Sequence, residues 1–586
     1  MQYKELVRQE IMKSAADYDA AVGLIAGFVA DGSDGYHSKR TGVIHPTFAS
    51  ALVASAALCE GVEELYPQAL RTLEVICDIQ DVRPGSKTFG LWGHNYEDDP
   101  EHMIAPDYNW ADFIGKCLQE TVLFSKCPLP EALKARLLVA IRNAAICTIG
   151  RNVGLDYSNI ASMSSLTLVC AGEIVGDPEI FAIGKDRLER FCAYTRFNGA
   201  YSEYNSSCYG FVIMDDVSRM LRWFKDERCL ELAKELNYYA WKQLAEHYNM
   251  CLHQLTPPQS RAYEDLNLGS IAWRIRRGTN GKYGSIEGVS GPNADGDHAG
   301  VAALAGFTPG LEMLRCPSYC PEELFPLFEE SERFIAQTYY KKNDLRRPGE
   351  DYTIVRDPDN PDMTAYSLLT PKFSMGVFSV CDTWVQRRNC MVVWDKDHPK
   401  FFRIRSIACN YDFCGGMTYA QQKDNRILGQ VGLVTDRGSF HYILDKSKNG
   451  IYETDALYFQ FLLGGACEGL TIEQDGKDFC IRDGELTVRL HIEKWVYDGK
   501  DAPVYVSEDG KSVILEGYKG EKTMLDTNIL AETCGVFTLT VEDAAHKAEA
   551  ADLTYSLDGG MLSSRWGDLA VESPAKPVPY RTALGI

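Results

Sequence analysis

The chain reads as an α+β multidomain protein, with an N-terminal (α/α) toroid of helical hairpins over residues 1–365 and a C-terminal antiparallel β-sandwich domain over residues 366–586. Three observations predict this. A length of 586 residues exceeds what one hydrophobic core usually supports, so two or more domains are expected. Apolar positions recur at helical spacing through most of the chain up to about Tyr340, with short or polar connections between segments. From about Thr364 onward the pattern becomes an alternation rich in Val, Ile, Tyr and Phe, broken by Asp-Gly, Asn-Gly and Gly-Gly.

Helix is expected over residues 2 to about 30, where Leu6, Ile11, Ala15, Tyr18 and Val22 fall near helical spacing. After a Gly/Asp-rich break at 31–35, helices are expected over 47–60, 62–79, 109–125, 130–149, 159–176, 179–194, 209–224 and 227–249, with more around 299–314 and 321–340. Short connections make successive helices antiparallel neighbours, and hairpins in series can close into a toroid. No fixed-period repeat points to a solenoid. Strands are expected over 389–394, 401–408, 427–435, 439–444, 456–463, 486–493, 512–515 and 536–541, and the Pro-rich 573–580 reads as an extended surface tail.

Composition narrows the partners. The net charge of -22 argues against nucleic acid or an anionic membrane. It leaves an anionic substrate open, because a few arginines can reverse the field inside one cleft. The first ten residues are charged and helical with no apolar h-region. No run of about 18 apolar residues suggests a bilayer span. The 19 cysteines are odd in number and scattered, which fits a reducing compartment, so a cytoplasmic protein is expected. Cys316 and Cys320 lack a second Cys/His pair at zinc spacing, and the acidic stretch ending at His298 fits no standard calcium loop, so no metal is expected. With no phosphate-binding glycine loop and no Gly-x-Ser-x-Gly elbow, no cofactor is called for either.

Four segments of the helical half place aromatics beside amides and acids at or near helix starts. They are Gly90-Leu91-Trp92-Gly93-His94-Asn95-Tyr96-Glu97 with Pro106-Asp107-Tyr108-Asn109-Trp110, then Asp156-Tyr157-Ser158-Asn159, then Tyr201-Ser202-Glu203-Tyr204-Asn205-Ser206-Ser207-Cys208-Tyr209, then Pro257-Pro258-Gln259-Ser260-Arg261-Ala262-Tyr263-Glu264-Asp265. Such sets suit a sugar: its C–H face stacks on a ring such as Trp110, and its hydroxyls need paired donors and acceptors. Individually, Asp107, Asp156 and Ser158 also read as helix N-caps, and Tyr108 and Tyr157 as hydrophobic staples. The segments 203–206, 258–263 and Thr364-Ala365-Tyr366, together with Phe373-Ser374-Met375-Gly376 and Trp384-Val385-Gln386-Arg387-Arg388, resemble recurring features of heparinase II/III-like proteins of the toroid polysaccharide lyase group.

That resemblance implies β-elimination at a uronic acid. The enzyme neutralises the carboxylate beside C5, stabilises the enolate, removes the C5 proton and protonates the leaving oxygen. Carried onto this chain, Tyr263 is the first choice for base or acid, with Arg261 lowering its pKa or holding the carboxylate. Asn205 or Asn159 would neutralise, with Glu203 orienting them or acting in protonated form, and Tyr204 and Tyr209 are alternative phenols. Asn109, Trp110, Asn159, Tyr204, Tyr209 and His94 are expected to bind substrate, an oligosaccharide rather than a polymer if the protein is intracellular. His94, His102, His253 and His298 are the histidines weighed for catalysis, none aligned to a catalytic position. Residues 383–388 either reach the cleft or pack between the domains. The rival chemistry is glycoside hydrolysis by Glu203 with Asp107, Asp112, Glu97 or Glu264, and a third reading is a non-catalytic sugar-binding protein. On oligomeric state the sequence is silent; intracellular toroid enzymes commonly self-associate, which makes a homo-oligomer an expectation.

Overall fold

The computed structural model describes residues 3–29, 38, 40–103, 105–267, 269–285, 309–340, 362–381, 386–408, 411–436, 450–548 and 551–584. Its first half is helical: α1 (Tyr3–Ser14), α2 (Thr47–Glu60), α3 (Tyr66–Asp78), α4 (Asn109–Phe124), α5 (Glu131–Arg151), α6 (Ser158–Val175), α7 (Pro178–Asn198), α8 (Tyr209–Trp223), α9 (Glu227–His247) and α10 (Ser270–Gly278). These pack in two rows. Helix α2 lies on α4, α4 on α6 and α6 on α8, while α3 lies beside α5 and α7 beside α9.

Composition explains which row a helix joins. Helices α2 and α6 carry Ala, Ser, Leu and Val on every side and are buried from Thr47 to Cys59 and from Ser158 to Gly172. Helix α6 is long and apolar enough to cross a membrane, yet 83% of it lies inside the protein. Helix α9 instead buries one stripe, including Cys229, Leu232, Leu236, Ala240 and Leu244, and leaves charges outside. Close approach of α6 and α7 depends on two glycines: a Cβ at Gly172 would fall 2.4 Å from Phe181 N, and one at Gly184 2.5 Å from Val169 N. Helix α7 has the expected punctuation, with Asp177 accepting from the Glu179 and Ile180 N–H groups, Pro178 at the start and Gly199 at φ 67° past the end.

Two sequence expectations fail here. The first helix stops at Ser14; Asp19 then turns the chain by accepting from the N–H groups of Ala21 and Val22, and short antiparallel strand pairs follow, Tyr18–Asp19 with Leu24–Ile25 and Gly27–Val29 with Gly42–Ile44. Residues 321–340 are a 3-10 turn, Glu322–Phe328, and a strand, Arg333–Tyr340, paired with Asp362–Leu369. Burial alternates along Arg333–Thr338, with Arg333, Ile335 and Gln337 partly buried and Phe334, Ala336 and Thr338 exposed, as in a strand with one face packed. Sheet therefore begins before residue 365, and the expected boundary at 365/366 cuts a strand. The expected helix at 299–314 is described only as Pro309–Arg315, and the expected strand at 439–444 lies outside the described residues.

Among the described residues from Arg333 onward, the chain forms a nine-stranded and a seven-stranded antiparallel sheet, plus a three-stranded one. That third sheet ends with Leu569–Pro574, so the first two residues of the extended tail expected at 573–580 belong to a strand. Phe373, Met375, Val392 and Phe402 of the larger sheet share one core with Ile427, Val488, Leu490 and Phe537 of the seven-stranded sheet, so the two face each other. The larger sheet turns its other side to the helices. There Asn249 Nδ2 donates to Thr370 O at 2.8 Å and Ser374 Oγ at 2.9 Å. Gly376 is required, because a Cβ would fall 2.0 Å from Pro257 O.

Candidate active site

Three inner-row helices start at one place. Asn109 opens α4, Ser158 opens α6 and Tyr209 opens α8, while Arg151 ends the outer helix α5. The positive dipole ends of α4, α6 and α8 therefore come to the rim that carries the polar, aromatic segments, a setting that favours an anion.

The 257–263 segment is held between helices and sheet. Gln259 N donates to Arg388 O and Arg388 N to Gln259 O, and Ala262 N donates to Gln386 O at 2.8 Å. On the other side Ser260 N donates to Tyr204 O at 3.0 Å, and Ser206 Oγ to Arg261 O at 2.6 Å. These bonds fix where Arg261 and Tyr263 point.

Glu203 is 4% exposed and receives three donors. Asn159 donates to Oε2 through its backbone N–H at 2.7 Å and its amide at 2.6 Å, and Arg261 Nη1 donates to Oε1 at 2.5 Å. The carboxylate thus caps α6 from a distant loop, a role expected of Ser158. Arg261 also donates from Nη2 to Tyr209 OH at 2.9 Å and from Nε to Gln386 Oε1 at 2.9 Å. Its guanidinium lies 3.8 Å from the centre of the Tyr209 ring and 5.4 Å from that of Tyr157. Tyr209 and Tyr263 oxygens are 2.5 Å apart. The chain of contacts is Asn159, Glu203, Arg261, Tyr209, Tyr263, closed from the sheet by Gln386.

Electrostatics in this group compete. Burial opposes the Arg261 charge, but Tyr209, Glu203 and Tyr157 outweigh it, and the pKa sits well above the ordinary guanidinium value. Burial pushes Tyr209 well above the ordinary phenol value, against the pull of Arg261. Burial also raises Tyr263, with Arg261, Tyr209 and Gln386 opposing. Both phenols are therefore protonated at neutral pH, and Arg261 is the group that favours ionising them.

A second cluster adjoins the first through Tyr157, whose phenol feels Arg261 and Glu203 on one side and Asp107 and Arg151 on the other. His94 stacks on Trp110 at 4.0 Å between ring centres, with Nε2 at 3.4 Å from Asp107 Oδ2. Asp107 also accepts from the Asn109 N–H at 3.0 Å, and Arg151 donates to Asn109 Oδ1.

Of the residues expected from sequence, Glu203, Arg261, Tyr263, Tyr209 and Asn159 form one network, and His94, Trp110 and Asn109 the adjoining one. Two expectations are corrected. The Asn205 amide donates to Thr256 O at 2.6 Å and Pro258 O at 2.9 Å, so it pins the 256–258 segment and is not free to neutralise a substrate. Tyr204 is 1% exposed, its OH bonded at 2.8 Å to His247 Nε2 and its ring packed on Phe378, so it is core rather than cleft. Among the proposed second carboxylates, Asp112 is buried and accepts from Thr148 and Thr167, and Glu97 is engaged by His45 at 2.6 Å. His298 and residues 383–385 lie outside the described residues. Gln386, Tyr157, Arg151 and His247 were not singled out as site residues; Tyr157 read as a staple and Gln386 lay in a quoted motif, but contacts spanning up to 125 residues leave no local pattern.

A family profile described as a domain of unknown function, DUF8769, matches residues 4–268. No curated protein sequence matches the chain. Among solved structures, the chain is similar to a chondroitinase AC lyase solved with oligosaccharides, at 9% identity and TM-score 0.37, covering 98% of this chain and 91% of that one. It is also similar to a heparan sulfate lyase from Pedobacter heparinus, at 8% identity and TM-score 0.32, covering 90% and 81%. A xanthan lyase from Paenibacillus follows at 7% identity and TM-score 0.29, covering 96% and 74%. Likeness this low leaves the activity to be argued from the site.

Proposed function

We propose that the protein is a carbohydrate-active lyase that cleaves an oligosaccharide containing a uronic acid by β-elimination. The observation that carries this is the Tyr263–Tyr209 phenol pair held against Arg261, at a rim where three helix N-termini converge. A uronate carboxylate would meet the positive helix ends and the cleft arginines, which withdraw charge as the C5 proton leaves. One phenol of the pair, ionised beside Arg261, takes the C5 proton; the C5 electrons form the C4–C5 double bond, the C4–O bond breaks, and the pair returns a proton to the leaving oxygen. Glu203, with three donors on its two oxygens, orients Arg261 and Asn159. Trp110, expected from the sequence to stack on sugar, is instead buried against Phe48 and Phe113 and backs the His94 ring, which is the one left to meet the neighbouring sugar.

Under the same reading the double row of helices is an (α/α) toroid and the facing sheets a β-sandwich that holds the catalytic loop through Gln386 and Arg388. A reducing cytoplasm suits the described cysteines, which are all free thiols.

The direct test is incubation with uronate oligosaccharides while following near-ultraviolet absorbance, since the unsaturated product absorbs and a hydrolysis product does not. Because Tyr263 and Tyr209 are both raised above the ordinary phenol value, kcat should climb with pH into the alkaline range. A kcat that falls from neutral to alkaline pH, at unchanged fold, would exclude a phenol as base.

A further inference from the structure

Gln386 reaches the Tyr263 loop from the sheet side of the site. Its backbone carbonyl accepts from the Ala262 N–H at 2.8 Å and from Arg388 Nη1 at 3.1 Å. The neighbouring bridge, Gln259 with Arg388, is bonded in both directions. The side chain is therefore delivered at a fixed height beside residues 261–263. Its amide meets two of them: Oε1 accepts from Arg261 Nε at 2.9 Å, and the Tyr263 phenol is the other contact.

Arg261 decides which end of the amide faces which residue. A guanidinium carries donors and no acceptor, so the amide oxygen is the end turned to Nε. The NH2 end is left for Tyr263, whose oxygen accepts from it. Electrostatics agree in sign: burial raises the Tyr263 phenol, and the Gln386 contact works against that rise, as a donor to the oxygen does. Tyr209 is treated in the same way from the other side, because Arg261 Nη2 donates to its oxygen at 2.9 Å.

Each phenol oxygen thus accepts one bond from a fixed donor, Tyr209 from a guanidinium and Tyr263 from an amide. Only one of the two phenol protons can lie between oxygens 2.5 Å apart. When the pair gives up the other proton, a single negative charge is spread over both oxygens. Arg261, Gln386 and the shared proton all donate to it. Cys208 and Tyr157 are further titratable groups that face the pair, and Glu203 acts on it through Arg261.

We propose that Gln386 is a positioning residue of the site: by presenting a donor to Tyr263, it lets Tyr209 and Tyr263 act as one base carrying one charge, and makes that base depend on the docked sheet. The inference rests on the reading of the phenol pair as the base of an elimination, and it adds a residue of the other half of the chain to that base. The pair, having released one proton to solvent, takes the C5 proton in its place, and Gln386 itself touches no reacting atom.

The test is an alkaline titration of tyrosinate absorbance, each protein being read as the difference from its own Tyr209→Phe/Tyr263→Phe counterpart so that the pair is isolated. Gln386→Met, similar in shape, removes the donor and should move the first ionisation of the pair up by about one pH unit, the scale of one hydrogen bond to a charged group. Gln386→Glu keeps an acceptor for Arg261 while removing the donor, and should move it up at least as far. The rise of kcat with pH should shift in parallel, with KM within about twofold of wild type. A downward shift in Gln386→Met would mean that the amide oxygen faces the phenol. No shift in either variant at unchanged melting temperature would mean that the residue only packs. Either result overturns the proposal. If Gln386→Met is too unstable to titrate, Gln386→Glu decides: an upward shift supports the proposal and an unchanged titration overturns it. Failure of the elimination reading looks different: wild-type protein then yields no absorbing product from uronate oligosaccharides while the titration shift persists.

Discussion

Helices α4 and α8 each carry two buried polar clusters, one at the N-terminal rim and one deeper, and the two differ in how they are balanced. At the rim, Asn109 and Tyr209 belong to groups that mix phenols, amides and a guanidinium with half-buried residues. Deeper, Glu120 of α4 and Arg219 of α8 meet Glu312 and Arg315 in a sealed ion cluster. Arg315 lies 2.9 Å from Glu120 and 3.2 Å from Glu312, Arg219 pairs with Glu312, and both arginines are buried. Lys116 and Asp216 add another buried pair at 3.3 Å. The deep charges answer one another, as burial demands of charges that serve packing. The rim group instead keeps two titratable phenols, Tyr209 and Tyr263, in direct contact and only partly buried. Burial of polar groups alone therefore does not separate the two clusters; the contact between titratable groups does.

That contrast can be broken by exchanging effects between the two clusters. Tyr263→Phe should lower kcat by at least about a hundredfold, the scale of one acid or base, with melting temperature nearly unchanged, whereas a mild effect beside an inactive Glu203→Gln would favour hydrolysis. Arg315→Met should do the opposite. It strands Glu120 and leaves Glu312 with Arg219 alone, and should destabilise by about 3–5 kcal/mol, read by urea unfolding, while the KM of protein that remains folded stays the same. A change in KM would show that the deep cluster reaches the cleft.

Smaller effects sharpen the comparison at the layer between rim and sheet. Burial lowers His247 to about 4 from an ordinary 6.5, so the unfolded chain binds the proton more readily. The contribution is fully present above pH 6.5 and is lost as pH falls towards 4, at no more than about 1.4 kcal/mol per pH unit. His247→Gln should remove that slope from a series of urea titrations. Gly376→Ala pushes a Cβ onto Pro257 O; about 1–3 kcal/mol of destabilisation is expected, with a fall in kcat because the displaced segment carries Tyr263. Lost stability at intact kcat would mean that the loop position is not set from the sheet.

Much of this was legible beforehand. Helices α2 and α6 were expected within a residue of where they lie, whereas α7, expected over 179–194, runs on to Asn198 before Gly199 ends it. The clusters Glu203-Tyr204-Asn205 and Arg261-Ala262-Tyr263 were recognisable as chemistry. Roles within them were not, since Tyr204 and Asn205 are as polar as Glu203 and differ only in which way they face. Residues 333–340 misled because a short apolar run suits strand or helix, and a partner strand decided between them.

The order of helix and strand, the positions of the helix starts and the types of residue gathered at them came from the sequence by itself, because periodicity and capping act over a few neighbours. The tertiary structure alone decided that Glu203 caps a helix 44 residues away, that Tyr209 rather than Tyr204 meets Tyr263, and that Gln386 of the sheet completes the group. Those choices depend on which backbone segments dock, and docking sums many weak contacts that no local pattern records.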